Sequence, residues 1–317
     1  MLDRKEIKKI IDDYKGDTIK EITKKNYISK IYNFHIKNTK INLESETDLI
    51  AYFKSNFDNY KTTSLMGIIS SIIIYLQAKD KDFKLLLDYL FQIQVAYRKQ
   101  LNKKNEKEKE NWINYEELKE FAQQKYKQLR LYKHDKEFYL EKLQQVILIF
   151  LYVYLPPRRN DYRNCYILTH YKYKKLKNKN ENYLVYDFPK QTLFFSFNNY
   201  KTFSKYGEQI IQIQHRRLRI LLSNYIKMIY KQEQPLLLFH NYSNKIEPMS
   251  SPDFSKYMSL AFIDTGKHIT SSLLRKIFIS NEVSIQNVKQ NLEKAKATAY
   301  KMGHSLSTQQ NVYYKDK

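Results

Sequence analysis

Cysteine, tryptophan, glycine and proline are all scarce in this 317-residue chain, which has one Cys, one Trp, five Gly and six Pro. A lone cysteine, Cys165, excludes an internal disulfide and any zinc site built from several thiolates, and it points to a reducing, intracellular compartment. The few glycines form no phosphate-cradling loop of the nucleotide-binding kind, and no internal repeat is present. The longest apolar run, VILIFLYVYL from Val146 to Leu155, is about half the length that crosses a bilayer. The N-terminus is charged rather than signal-like. A soluble protein with no membrane partner is the expectation.

What the chain has in excess is positive charge. Lys and Arg number 56 against 33 Asp and Glu, a formal net charge of +23. Such an excess costs self-repulsion and is expected where a polyanion binds. Tyr and Phe, 29 and 17 in number, sit mostly at helical or strand spacing and are read as core and amphipathic surface rather than as base-stacking platforms. The abundance of Lys, Asn, Ile and Tyr reads as the mark of an A·T-rich genome.

The length suits two domains. Residues 1–135 read as helices. Apolar stripes run through Ile7, Ile10, Ile11 and Tyr14, and through Ile19, Ile22, Ile28 and Ile31, with Thr18 as a cap between them. Ser45 and Thr47 precede DLIAYFKSN, Thr-Thr-Ser precedes LMGIISSIIIYLQ, and DFKLLLDYLFQIQVAYRKQL follows. A polar insertion near 101–112 interrupts them, and Asn114 with Glu117 makes an approximate capping box for the next helix. A boundary is expected at YKHDK, residues 132–136. A helix from about Glu137 leads into Pro156, after which the period changes. YLVYDF, TLFFSFN and EQIIQI read as a small antiparallel sheet, and four further helical segments complete an α+β chain that is mostly helical.

Three segments carry chemistry. LPPRRNDYRN places Arg158 and Arg159 directly after a proline stop. Taking Arg158 as functional puts Asp161 three residues on and sets Tyr162 and Cys165 on the inner face of a following helix. Taking Arg159 turns Arg163 toward the core. In TSSLLRKIFIS, Arg275 stands among Leu273, Leu274, Ile277 and Phe278, so it is partly buried unless it faces a cleft. In MGHSLSTQQNVYYKDK, Gly303 permits a tight turn before His304, which lies nine residues ahead of Tyr313. No convergent carboxylate cluster suggests a two-metal nuclease.

Together these segments resemble the tyrosine recombinase (integrase) family, in which Arg, Lys, a His-x-x-Arg box, a Gly-His and a late Tyr converge on one DNA phosphate. ENWINYEEL is similar to a stretch in recombinases of virophages and large DNA viruses. The resemblance covers about 137–317 by motif and the N-terminal half by helical character. It implies a DNA-clamping domain over 1–135 and a catalytic domain over 136–317. It also implies cleavage and rejoining of double-stranded DNA through a 3′-phosphotyrosine, by a homotetramer on paired sites, with neither cofactor nor metal. Tyr313 would be the nucleophile, with Tyr314 as the competing choice. Arg158, or alternatively Arg159, and Arg275 would grip the phosphate with His304. Lys201, in NNYKTF on the hairpin between the second and third strands, would protonate the leaving oxygen. Three residues before Arg275 the family generally has His and this chain has Ser272, whose hydroxyl replaces a hydrogen bond but not a titration near neutral pH; His268 is the nearest imidazole that could compensate. A mobile, viral element acting in a host nucleus or viral factory fits the likeness. A type IB topoisomerase shares the motifs, and Ser272 keeps open a DNA-binding protein that has lost activity.

Overall fold

The computed structural model describes residues 2–14, 19–101, 103–230, 235–242, 245–282, 292–309 and 312. Thr18, Tyr313 and Tyr314 lie outside the described residues. The chain forms two compact units, Met1–Leu101 and Asn102–Lys317. The division therefore falls at the start of the polar stretch, upstream of the boundary expected at residues 132–136.

The first unit contains five α-helices among its described residues: α1 (Arg4–Asp12), α2 (Glu21–Lys37), α3 (Glu46–Ser55), α4 (Thr62–Ala78) and α5 (Lys84–Gln100). The α1 helix opens on a reciprocal capping box between Asp3 and Glu6, and Ser45 caps α3 through the Asp48 N–H. In α4 the Thr-Thr-Ser run forms the first turn rather than a side-chain cap. This helix is apolar on most sides because it is the unit's centre; its Leu65, Ile69, Ile72 and Leu76 are fully buried against α1, α2 and α5. Each such side chain contributes about 1.5–3 kcal/mol by leaving water.

In the second unit, α6 (Glu106–Asn111), α7 (Tyr115–Gln128) and α8 (Lys136–Tyr154) lead into the sheet. The α6 helix buries no side chain, as its composition requires. It is nonetheless tied down, because Glu108 pairs with Lys276 and the Glu110 carbonyl accepts from Lys267 Nζ at 2.7 Å. Asn114 caps α7 through the Glu116 N–H at 3.0 Å. Tyr115, Leu118, Phe121 and Ala122 bury one face of α7, and α7 packs along α8. That packing is why the two helices belong to one unit despite the YKHDK turn between them. The α8 helix is buried without a break from Val146 to Val153. No helix among the described residues is long and apolar enough to cross a membrane.

Beyond Pro156 the chain departs from expectation. Tyr162 and Cys165 are both fully buried, but on a turn and a strand, not on a helix. The strand β1 (Cys165–Thr169) precedes α9 (His170–Lys174), β2 (Asn182–Asp187), β3 (Thr192–Phe197), α10 (Phe203–Tyr206) and β4 (Gln209–Gln212). The sheet order is β1-β2-β3-β4. The three expected strands, β2 to β4, are antiparallel, and β1 is added to their edge in parallel, so the sheet is mixed rather than purely antiparallel. Both faces of β3 are covered: Leu193, Phe195 and Phe197 enter the main core, and Phe194 joins Tyr173, Tyr183 and Val185 in a second cluster. Then follow α11 (Arg216–Ile229), the hairpin β5 (Phe239–Tyr242) and β6 (Lys245–Pro248), α12 (Ser251–Ala261), α13 (Ser271–Glu282), α14 (Leu292–Lys301) and α15 (Leu306–Thr308).

Charge is divided unequally. Residues 1–101 carry 18 Lys and Arg against 13 Asp and Glu, and the remainder carries 38 against 20. The positive excess therefore resides mainly in the second unit.

Candidate active site

The Pro156-Pro157 pair ends α8 because proline cannot continue the helical hydrogen-bond ladder. The Tyr152 hydroxyl holds the next turn by donating to the Arg159 carbonyl. This geometry turns Arg158 inward and Arg159 outward: Arg158 has no solvent exposure, and Arg159 is exposed.

Burying a guanidinium costs several kcal/mol unless its hydrogens are bonded, and here most of them are. Arg158 Nε donates to Asp161 Oδ2 at 2.6 Å, and Nη1 donates to Gln209 Oε1 and to the Lys301 carbonyl, each at 2.6 Å. The rings of Phe197 and Tyr200 lie over the guanidinium carbon at 4.1 and 4.8 Å, which adds cation–π attraction. Nη2 is buried with no hydrogen-bond partner among the described residues. Gln209 reaches this position because β4 alternates, with Gln209 and Ile211 pointing inward and Ile210 and Gln212 outward.

Arg275 is the second fully buried arginine, 1% exposed on α13 among Leu274, Ile277 and Ile279. His304 comes from the end of α14 through a glycine stop. Gly303 has φ +68°, its N–H bonds the Tyr300 carbonyl at 3.0 Å, and the His304 N–H bonds the Ala299 carbonyl at 3.1 Å. These two bonds make a Schellman termination, which needs a left-handed residue at that point. His304 Nδ1 lies 3.1 Å from the Ser305 carbonyl. Since a carbonyl only accepts, Nδ1 carries the proton and the neutral ring presents its lone pair at Nε2. Burial pushes the imidazole pKa down to about 3, and Arg275, Arg159 and Arg158 push it the same way, whereas the Ser305 contact opposes them. The free protein therefore holds a neutral His304 in a strongly positive surrounding.

Lys201 is exposed on the connection between β3 and β4, which is the hairpin between the second and third of the three antiparallel strands. Its two neighbours are anchored, one at the arginine and one at the Gly303 turn. The Tyr200 ring stacks on Arg158, and the Thr202 hydroxyl donates to the Gly303 carbonyl at 2.6 Å. Ser272 is exposed on the first turn of α13, in a shallow groove with Asn105, Lys107, His268, Thr270 and Lys276. His268 is exposed there too, its N–H held by Asn111 Oδ1 at 2.6 Å. The structure thus gathers Arg158, Arg275 and His304, sets Lys201 beside them, and leaves Ser272 and His268 in the groove. Val312, next in sequence to Tyr313, packs against the core of the second unit. Gln209, Phe197 and Tyr200 are site residues that the motifs did not mark; only the alternation of β4 hinted at the first. Among the described residues no group of three His, Cys, Asp or Glu is arranged to hold a metal ion.

No protein-family model and no curated protein matches the sequence. Among solved structures the chain is similar to the crystal structure of XerA recombinase, at 15% sequence identity over 98% of this chain and 94% of that chain, with a TM-score of 0.40.

Proposed function

We propose that the protein is a DNA strand transferase of the tyrosine recombinase type, which cleaves and rejoins duplex DNA through a covalent phosphotyrosine. The observation that carries this reading is the pair of fully buried arginines, Arg158 and Arg275, beside the Gly303-His304 turn, with Asp161 the one carboxylate bonded to Arg158 among the described residues. A fixed, cation-rich pocket of this kind suits the non-bridging oxygens of a phosphoryl group, whose charge grows in the transition state.

In the reaction, the phenolic oxygen of Tyr313 attacks phosphorus and the bond to the 5′ oxygen breaks. The phenol loses its proton, for which His304 Nε2 offers a lone pair, and the departing oxygen gains a proton from Lys201. A 5′ hydroxyl from a partner duplex then reverses these steps and releases the enzyme. The phosphotyrosine conserves the bond energy, so the cycle needs no nucleotide. Four protomers on two duplexes would complete strand exchange, and a viral or other mobile element is the setting that the motif likeness favours.

Nicked suicide DNA substrates test the reading, since loss of a short leaving strand traps the intermediate. A denaturation-resistant protein–DNA adduct is expected from the parent and from Tyr314→Phe, and none from Tyr313→Phe, which keeps duplex binding. An adduct formed by Tyr313→Phe but not by Tyr314→Phe would assign the neighbouring phenol. Supercoil relaxation without strand exchange would identify a topoisomerase, and a parent that binds without ever forming an adduct would overturn the enzymatic reading.

A further inference from the structure

Asn182, the first residue of β2, is buried to 3% exposure, and its amide is fully committed. Nδ2 donates to the Asp161 carbonyl and to the Asn199 carbonyl, each at 3.0 Å. Oδ1 accepts from the Asn198 N–H at 3.0 Å and from the Asn199 N–H at 2.9 Å. Two donors and two acceptors are all that an asparagine has. One side of the amide grips the turn that carries Arg158 and its partner Asp161. The other side grips the loop two residues ahead of Lys201. A plain strand end has no need of this bridge, and an apolar residue at position 182 would leave the Asn198 and Asn199 N–H groups without this acceptor, at about 1–3 kcal/mol for the buried Asn198 group.

We propose that Asn182 is a positioning residue for the proton donor: it fixes the 198–202 loop to the Arg158–Asp161 turn so that Lys201 keeps its register with the gripped phosphate. The proposal rests on the strand-transfer reading above. A lysine head on a four-carbon stem has wide reach and little inherent direction, so the anchoring must come from the loop. Asn182 holds that loop on one side of Lys201 and Thr202, bonded to Gly303, holds it on the other. In the cleavage step a proton passes from Lys201 Nζ to the 5′ oxygen as the phosphorus–oxygen bond breaks. Asn182 touches neither atom and acts only through the position of the donor.

A substrate with sulfur in place of the bridging 5′ oxygen separates this role from a merely structural one. A departing thiolate is the conjugate base of an acid with a pKa near ~8.5 and leaves without protonation. Single-turnover cleavage of oxygen- and sulfur-bridged substrates is measured for the parent, Lys201→Ala, Asn182→Ala and Asn182→Asp, the last of which keeps the acceptor for the loop N–H groups and loses both donated bonds. Both Asn182 variants are expected to slow by roughly 100-fold on oxygen, the scale of a misplaced catalytic group, and to recover to near the parent rate on sulfur, as Lys201→Ala does. Should alanine unfold the protein, the aspartate variant carries the test.

Equal slowing of an Asn182 variant on both substrates, or no slowing on oxygen, would overturn the proposal while Lys201→Ala still recovers. If Lys201→Ala itself fails to recover on sulfur, the assignment of the proton donor falls, and the role of Asn182 with it. A parent inactive on both substrates fails the strand-transfer reading.

Discussion

Gly303 and Arg158 touch so closely that a β-carbon on the glycine would lie 3.3 Å from Arg158 Nη2 and equally near the Tyr200 ring. The φ of +68° at Gly303 adds a second constraint. Gly303→Ala is therefore expected to lose about 1–2 kcal/mol of stability to left-handed backbone strain, read by urea denaturation. It should also slow adduct formation, because the guanidinium that must give way is the one proposed to hold phosphate. A variant with parental cleavage would show that Nη2 is not a phosphate contact.

The two buried arginines should matter to the chemical step more than to binding. Arg158→Ala and Arg275→Ala are each expected to lower single-turnover cleavage by ~100-fold or more, the scale of losing one preorganised donor, and Arg158→Lys should not restore it, since an ammonium cannot reproduce the forked bonds to Asp161 and Gln209. Arg159→Ala, at an exposed position, should cost less. If Arg159→Ala proved the more damaging, the outward residue would be the true phosphate ligand.

His304 gives the protein an acid-sensitive stability. Its pKa is about 3 when folded and near ~6.5 when unfolded, so between these values the unfolded chain binds the extra proton and stability falls as pH falls. The contribution is fully present above about pH 6.5 and is lost progressively toward pH 3. His304→Gln, which cannot titrate, should show a shallower fall in melting temperature between pH 7 and pH 4 than the parent. Identical slopes for the two proteins would remove His304 from the acid response.

Duplex binding should be strongly salt-dependent. With ~8 phosphates contacted, the log–log slope of affinity against salt is expected near −7. Because residues 102–317 hold most of the charge excess, neutralising their lysines should flatten that slope more than neutralising an equal number in residues 1–101. A slope near zero would remove the basis for a DNA partner.

Periodicity made the helices legible, since Ile7, Ile11, Ile31 and Leu49 repeat on the faces that the structure buries. The turn after Pro157 was not legible. Tyr162 and Cys165, three apart and both buried, mimic a helix face, and only β1 pairing with β2, residue 165 against 182, decides for a strand. The division at Leu101 was hidden for a similar reason. The YKHDK turn reads as a linker until α7 is seen to bury its stripe along α8, a contact with no local signature. Within the site, Arg158 was preferred over Arg159 for the acidic residue three positions on, and the Arg158–Asp161 ion pair has that spacing. Asn182 carries no mark in the sequence and Gln209 only the alternation of its strand, because their partners are 21 and 51 residues away.

The bond from Arg158 to the Lys301 carbonyl spans 143 residues, and it has a consequence for how the molecule matures. Closing so long a loop is entropically slow, and contacts of this span form late in folding. A chain emerging from the ribosome can complete α8 and the sheet well before α14 exists to meet them. Until that docking, Arg158 lacks one of its acceptors and the Gly303-His304 turn has no place to sit. Nascent or partly opened molecules thus carry the basic surface before the Arg158 turn is complete, and on the strand-transfer proposal competence to break a strand would arrive only with the finished fold.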